Sequence, residues 1–410
     1  MSPEGLPRVA APAAAAGLPP ATPRRPLRIL TFSTLYPNRA QPTHGVFVET
    51  RLRQLVAGGE VESTVLAPVP WRPGTALRVP ARERRHGLDV HHPRFLALPG
   101  IGLLTNPWLL YRAARHVLGR LVADGLRVDL VDGHYLYPDG VAAIRLGRDL
   151  GVPVVLTARG SDTSQFPFLP VAGREIRRAI AAADALIAVS AALKEGLVAL
   201  GAPAAKVTVL RNGVDLAVFR PVADRAAARA ALGLDGPTLL SVGHLIERKR
   251  NHLTIEALTQ LPGHTLLLVG DGPERAALAA LAGRLGVAGR VRFEGAKPQA
   301  ELARYYTAAD VMVLASSREG WANVLLESMA CGTPVVATPA WGSREAVAAP
   351  EAGIVVDEAS PAALAEAVRR LAAAPPDRAA TRLYAQGFGW DATTAGQIAL
   401  FRRLTGGMST

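Results

Sequence analysis

Eleven short, nearly uninterrupted apolar runs constrain what this chain can fold into more than any other feature. Five fall in the first half, at residues 27–33 (LRILTFS), 128–135 (VDLVDGHY), 152–159 (VPVVLTAR), 184–190 (DALIAVS) and 207–213 (VTVLRNG). Six fall in the second, at residues 238–245 (TLLSVGHL), 264–272 (HTLLLVGDG), 290–295 (RVRFEG), 310–316 (DVMVLAS), 334–338 (PVVAT) and 353–357 (GIVVD). A strand with one wet face alternates apolar and polar residues, whereas a parallel strand covered on both faces reads as a continuous apolar run. Between the runs, segments such as ERAALAALAGRLG and AALAEAVRRLAAA repeat apolar residues at helical spacing. Strand–helix alternation of this kind predicts doubly wound α/β sheets, and two sets predict two Rossmann-like domains facing across a cleft.

A length of 410 residues suits two such domains. The change of set follows Asn212-Gly213, so residues 27–213 and 214–387 are expected as the two units. Residues 1–26 are dominated by proline and alanine, without the apolar core of a secretory signal, and are read as a disordered tail. The run Phe95 to Tyr111 is uncharged, but Pro99, Gly100, Gly102, Asn106 and Pro107 interrupt it too often for a lipid-exposed helix. The lone cysteine, Cys331, excludes an internal disulfide and a cysteine-based metal cluster, and is expected to be a small buried residue in a reducing compartment. The net charge of +12 comes almost wholly from arginine, since lysine occurs only at Lys194, Lys206, Lys249 and Lys297. Aromatics make up 5% and do not interleave with basic clusters, so nucleic acid is not the expected partner.

Ligands of doubly wound sheets bind beyond the carboxyl ends of the strands. In the second half, Gly243, Gly270, Gly272 and Gly295 stand at strand ends, where glycine lets a ligand approach the backbone. Arg248 and Lys249 follow the first of them. The most informative stretch is SREGWANVLLESMACGTPVVAT, Ser317 to Thr338. A helix is expected from Asn323 as N-cap to Cys331, closed by Gly332 at C′ and by Pro334. Glu319 then lies in the loop above a strand end and Glu327 just past the first helical turn. The amides of Asn323, Val324 and Leu325 would face the cleft as an anion cradle. An anion site flanked by two carboxylates matches a nucleotide sugar, a diphosphate between two polyhydroxyl rings. The bare pair of acids also suits a glycoside hydrolase, which has no use for the cradle or for Lys249. A sugar-nucleotide epimerase and a non-catalytic basic binding protein are the other readings.

On these motifs, with VGDGPE, VLRNGVDLAVFRP, TLYPNRAQPTHGVFVETRLRQL and PVVLTARGSD, the chain resembles the retaining glycosyltransferases of family 4, of GT-B fold. The resemblance spans roughly residues 27–406, and the subgroup is that of teichuronic-acid-type cell-surface polysaccharide transferases. It implies that Glu319 holds donor-sugar hydroxyls, Glu327 the ribose hydroxyls and Lys249 the diphosphate. It implies an acceptor on the N-terminal domain and a last helix, within residues 388–410, that crosses back to that domain, with Trp390 as packing anchor. Three positions depart from the family pattern. His244 stands where an arginine is usual, leaving Arg248 as a substitute phosphate contact. His44-Gly45 stands for Gly-Gly, and Gly45 still opens a helix whose amides face the phosphates. Arg159 stands where many members carry a histidine. Arginine is no base at neutral pH but clamps a phosphate or an acidic sugar. His134 and Asp162 are the polar candidates near the acceptor.

The resemblance implies front-face transfer in which the leaving phosphate takes the acceptor proton, so no dedicated base is required. Neither a metal site nor a cofactor is expected, since no Asp-x-Asp motif or histidine cluster is evident. The acceptor is expected to be a saccharide or a lipid-linked saccharide. RERRHGLDVHHPR, the Phe95–Tyr111 run and RAARHVLGRL mix basic and apolar residues, a composition suited to an anionic membrane surface or to a buried helix beneath a loop. The expected location is cytoplasmic, with the inner membrane face as a candidate station.

Overall fold

The computed structural model describes residues 25–72, 78–98 and 100–406, so the tail expected over residues 1–26 lies outside the described residues up to residue 24. Ten strands precede residue 210: β1 (Leu27–Phe32), β2 (Val61–Leu66), β3 (Val69–Trp71), β4 (Arg82–Arg85), β5 (Leu88–His91), β6 (Arg94–Leu96), β7 (Leu130–His134), β8 (Val154–Ala158), β9 (Ala185–Ala188) and β10 (Val207–Val209). Eight of them form one sheet in the order β10-β9-β8-β7-β1-β2-β5-β4, and β3 pairs with β6 in a short ribbon. Only β4 runs antiparallel in that sheet. The second sheet contains β11 (Thr238–Val242), β12 (Thr265–Val269), β13 (Val291–Gly295), β14 (Val311–Leu314), β15 (Val335–Ala337) and β16 (Gly353–Val355). Its order is β13-β12-β11-β14-β15-β16, parallel throughout.

Each of the eleven apolar runs contains one of these strands. Of the five strands outside that set, all but β3 (VPW) carry polar residues. VESTVL in β2 and RERR in β4 break the apolar run because one face or one edge meets water. RERRHGLD is an edge hairpin. His86 and Gly87 both take positive φ, 48° and 84°, as a tight two-residue turn requires. Arg82 pairs with Asp89 (2.7 Å) and Arg85 with Glu49 (2.8 Å), so this basic run is part of the sheet edge rather than a free surface.

In each sheet the strand order reverses at one place, between β1 and β7 in the first and between β11 and β14 in the second. A doubly wound sheet opens its ligand crevice at this switch. The loop after β1 leads to Gly45 and the helix Val46–Ala57; the loop after β11 carries Gly243 to Lys249. The helix Asp391–Thr405 packs Leu400 and Phe401 into the same apolar cluster as Leu52 and Leu55 of helix Val46–Ala57. Phe401 is fully buried, and its truncation to alanine costs about 3–5 kcal/mol by the usual scale for core aromatics. Trp390 is buried at the start of that helix. Glu345 ties the two sheets together: it accepts from the amides of Ala191 (2.9 Å) and Ala192 (3.3 Å) and pairs with Arg211 (2.6 Å).

The Phe95–Tyr111 run becomes β6 followed by the helix Gly102–Ala123. Leu110, Ala114 and Leu118 of that helix are buried, while Leu103, Leu104 and Trp108 are exposed. No described helix is long and apolar enough to cross a membrane.

Candidate active site

A cavity of about 560 Å³ lies between the carboxyl ends of the two sheets. Arg159, Gly243, Arg248, Lys249, Glu319, Asn323, Val324 and Glu327 line it together. Of the other sequence candidates, Gly45 opens the helix whose Val46 and Phe47 line the cavity, while Gly272, Leu325, His134 and Asp162 stand behind the wall.

On the second-domain wall, β14 ends and the chain turns through Ser316 and Glu319 before the helix Asn323–Ala330. Lys249 Nζ donates to Glu319 Oε1 (2.7 Å), Ser316 Oγ donates to the same oxygen (2.8 Å), and Arg248 reaches Oε2 at 3.4 Å. Burial pushes this carboxyl up, but Lys249 and then Arg248 outweigh it and hold Glu319 below its ordinary value. Arg250 donates to the carbonyls of Ala315 (3.0 Å) and Ser316 (3.3 Å), fixing the strand end under Glu319. Glu327 is buried in a different setting. Its partner is the Tyr306 hydroxyl (2.8 Å), and burial pushes its carboxyl up to about 7 despite that bond.

Several local expectations change. Asn323 is the first helical residue rather than the cap; the cap position is Ala322, and no side chain fills it. The Asn323 side chain is thereby released toward the other domain, where Asn212 Nδ2 donates to its Oδ1 at 3.4 Å. Leu325 leaves the expected anion cradle, because its amide donates to the Ala322 carbonyl (3.0 Å) and its side chain is fully buried. The amides of Asn323 and Val324 remain as the first-turn donors without an intrahelical partner. Gly332 takes φ 77° after Cys331, as the C′ position requires. The strand-end glycines divide into two kinds. Gly243 lines the cavity with its Cα beside the Lys249 side chain. A Cβ on Gly272 would stand 2.3 Å from the Leu245 carbonyl oxygen, so that glycine serves loop-on-loop packing rather than ligand approach.

The first-domain wall is a buried polar network. Arg159 donates to Asn212 Oδ1 (3.2 Å) and to His134 Nδ1 (2.6 Å), and its guanidinium lies 5.3 Å from the centre of the Phe47 ring. His134 Nε2 is 3.3 Å from Asp132 Oδ2. Arg51 Nε donates to Gln397 Oε1 (2.8 Å), and Arg51 Nη1 to Asn212 Oδ1 (3.2 Å). Gln397 Nε2 closes the ring on Asp132 Oδ2 (3.2 Å). Burial lowers the His134 imidazole below its ordinary value, and Asp132 offsets this only in part. The ring is therefore neutral near pH 7, accepting at Nδ1 from Arg159. Burial, then the charge of Arg51, brings the Arg159 guanidinium down to about 9, so it keeps its charge at neutral pH.

Two acceptor-side candidates are thus corrected. His134 is 1% exposed and orients Arg159 from behind rather than meeting a ligand. Asp162 is fully buried, and its carboxylate accepts the amides of Leu136 (2.9 Å), Arg159 (3.0 Å) and Gly160 (2.7 Å). It braces the loop that presents Arg159.

Comparison with known proteins settles the class. The glycosyltransferase family 4 model matches residues 45–218 and the glycosyl transferases group 1 model residues 224–388. TuaC of Bacillus subtilis, named for a teichuronic acid biosynthesis glycosyltransferase, is 30% identical over 84% of this chain and 89% of its own. The chain belongs to the family 4 glycosyltransferases. D-inositol 3-phosphate glycosyltransferase 1 of Catenulispora acidiphila is 33% identical to this glycosyltransferase, over 92% of its chain and 96% of the relative. Sucrose-phosphate synthase from Thermosynechococcus elongatus shares its fold with a TM-score of 0.79 at 24% identity, covering 93% of this chain and 100% of that one. Anabaena Alr3699/HepE, solved in complex with UDP-glucose, aligns with a TM-score of 0.68 at 21% identity, over 91% and 98% of the two chains. The fold is GT-B, and the hydrolase, epimerase and binding-protein readings find no support among the relatives.

Several residues in and behind the walls of the glycosyltransferase's cavity escaped the motif reading. Asn212 touches both walls, since its carbonyl also accepts from Trp321 Nε1 (2.9 Å). Arg51, Asp132 and Gln397 lie on three separate elements, and only Asp132 has a partner nearby in sequence, His134. Tyr306 lies before the quoted motif, in the helix Gln299–Ala308, and its role is visible only once it is seen against Glu327. Cys331 is fully buried and its thiol is pushed up to about 12 by burial, so it is not a nucleophile.

Proposed function

We propose that this glycosyltransferase moves a sugar from a nucleoside diphosphate to a hydroxyl of a saccharide or lipid-linked acceptor, with retention and without a metal ion. The observation that carries the reading is one wall that places Lys249 on Glu319 while Glu327 lines the same cavity from the adjoining helix. The donor's diphosphate competes with Glu319 for Lys249 and Arg248, and the amides of Asn323 and Val324 face its phosphates. Glu319, once shared, accepts from the donor-sugar hydroxyls, and Glu327 accepts from the ribose. From the other wall, Gly45 opens the helix whose first amides face the phosphates, while Arg159 turns its positive charge toward the acceptor side.

The bond from the donor's anomeric carbon to the phosphate oxygen breaks as the acceptor oxygen bonds to the same carbon on the same face. The acceptor proton passes to the leaving phosphate oxygen. Negative charge grows on the diphosphate, where Lys249 and Arg248 stabilise it. No side chain has to act as base, which suits a wall where Arg159 is a cation at neutral pH and His134 is turned away. A nucleotide sugar as donor is also supported by the UDP-glucose complex of the structural neighbour.

A surface feature supports a membrane station for this activity. Leu104 (56% exposed), Trp108 (48%) and Phe168 (80%) project from the first domain, and Arg112 stacks on Trp108 at 4.6 Å. Apolar tips beside arginines suit an anionic lipid surface. Flotation with vesicles containing anionic lipid, compared with neutral vesicles, tests that part.

The function is tested by thermal shift with UDP-, GDP- and ADP-sugars, followed by NMR of the product's anomeric centre in the presence of EDTA. A stabilising donor, a retained configuration and full activity in EDTA are expected. Inverted product or loss of activity in EDTA contradicts the corresponding part.

A further inference from the structure

The carboxylates lining the cavity stand on one wall only, whereas cations stand on both. All of the lining carboxylates, Asp215, Glu319 and Glu327, follow the crossing at residue 213. The first-domain lining holds two cations, Arg53 and Arg159, and no carboxylate. Its remaining polar side chains are hydroxyls and amides, among them Thr50, Tyr135, Ser161 and Gln165.

No carboxylate behind them reaches a guanidinium. Arg51 feels the charge of Asp132, and Arg159 that of Asp132 and Asp162, but Asp132 is held by His134 and Gln397 and Asp162 by three backbone amides. The partners that Arg159 does have, Asn212 Oδ1 and His134 Nδ1, are neutral acceptors. Its Nε is buried and without a partner among the described residues. Arg53, exposed on the helix Val46–Ala57, forms no ion pair among the described residues. A neutral sugar gives its hydroxyl protons to carboxylates, and this wall has none to offer. A guanidinium fork binds phosphate or carboxylate in a planar, charge-assisted contact and keeps its charge throughout.

We propose that the acceptor of this enzyme carries its own negative group, a phosphate or a carboxylate, and that Arg159 and Arg53 read it. This rests on the proposed function, since it takes the second-domain wall as the donor's. The charged group anchors in the first-domain wall while a hydroxyl of the same molecule faces the donor's anomeric carbon. Arg159 is thus a specificity-determining residue, held in place by His134 and Asn212.

The test uses the full chain saturated with UDP, and the binding of three probes followed by ligand-observed NMR: methyl glucoside, glucose 6-phosphate and glucuronate. At least one anionic probe is expected to bind at least tenfold tighter than the neutral glycoside, with an advantage that shrinks as salt rises. Preference for glucose 6-phosphate assigns a phosphoryl group and preference for glucuronate a carboxylate. Arg53→Gln and Arg159→Lys should each cut the advantage at least threefold, with UDP affinity measured in parallel. Arg53 is exposed, so its variant decides the matter should the Arg159 variant misfold. Equal binding of the three probes, binding of neither anion, or an advantage untouched in Arg53→Gln overturns the proposal. Failure of UDP to bind the wild-type chain strikes instead at the donor reading on which it rests.

Discussion

On one wall of the cavity, Lys249 and Glu319 are 70 residues apart in sequence and 2.7 Å apart in space, each carried by a loop at the end of a strand. On the other, Arg51 and Gln397 are 346 residues apart and 2.8 Å apart, and Asp132, His134, Arg159 and Asn212 join them from further elements. The first wall brings its acids and bases already matched, so a ligand binds there by exchanging partners. The second holds more cation than carboxylate and keeps its guanidiniums on neutral acceptors. The difference assigns them different work. The matched wall suits a substrate that is itself charged and hydroxyl-rich and can replace each bond it breaks. The unmatched wall is stable only because the network behind it is closed, and it leaves positive charge facing the acceptor.

The most damaging way to break this comparison is at Asp132, the one carboxylate whose charge is felt by both Arg51 and Arg159. Asp132→Ala is expected to cost about 3–5 kcal/mol of folding stability, because it leaves the buried Arg51 without a counter-charge and the side chains of His134 and Gln397 without their acceptor. Urea unfolding measures it; a loss under about 1 kcal/mol denies that the wall depends on that charge. On the matched wall the large effect is kinetic. Lys249→Met should lower turnover by about 100- to 1,000-fold, the usual effect of deleting one donor that faces developing charge. Nucleotide release under steady-state conditions reads this, and a loss of less than tenfold removes Lys249 from the chemistry.

The same contrast explains what a reader of the sequence finds and misses. The whole second sheet and five of the eight strands of the first were legible because parallel strands buried on both faces write themselves as apolar runs; β2 was not, since Glu62, Ser63 and Thr64 interrupt its run. Lys249, Glu319 and Glu327 were legible because a strand end and a short helix place them by local spacing. The edge hairpin Arg82–His91 was not, since water on one side permits any polar residue. Arg51 and Gln397 were not, because each sits alone in its own segment and acquires its partner only when the last helix returns to the first sheet; Asp132, two residues from His134, was masked by the apolar run around it. His134 and Asp162 were found but misassigned; a polar residue at a strand end can face the ligand or the loop behind it, and the sequence does not distinguish the two.

Two smaller tests sharpen the comparison. Burial raises Glu327 from its ordinary range to about 7, so its contribution to stability is greatest below about 4.5 and is lost as pH rises through about 7. The wild-type melting temperature should therefore fall relative to that of Glu327→Gln across this window. Nucleotide affinity should rise over the same window, because the ionised carboxylate is the better acceptor for ribose hydroxyls. Parallel pH dependence in the two proteins removes the assignment. The smallest effect is expected at Asn323. It is the first helical residue and not a cap, and its bond to Asn212 is long at 3.4 Å. Asn323→Ala should cost a few tenths of a kcal/mol, against about 1 for a true cap, as read by the midpoint of unfolding.

The central claim is that a nucleoside diphosphate lies across the matched wall, with its ribose on Glu327 and its phosphates on Lys249. Titration calorimetry of UDP, GDP and ADP into the wild type, Glu327→Ala and Glu319→Ala tests it directly. One nucleotide is expected to bind the wild type, to lose at least tenfold in affinity with Glu327→Ala, and to bind Glu319→Ala nearly as well while turnover collapses. Unchanged affinity in Glu327→Ala, or no binding of any of the three, contradicts the account.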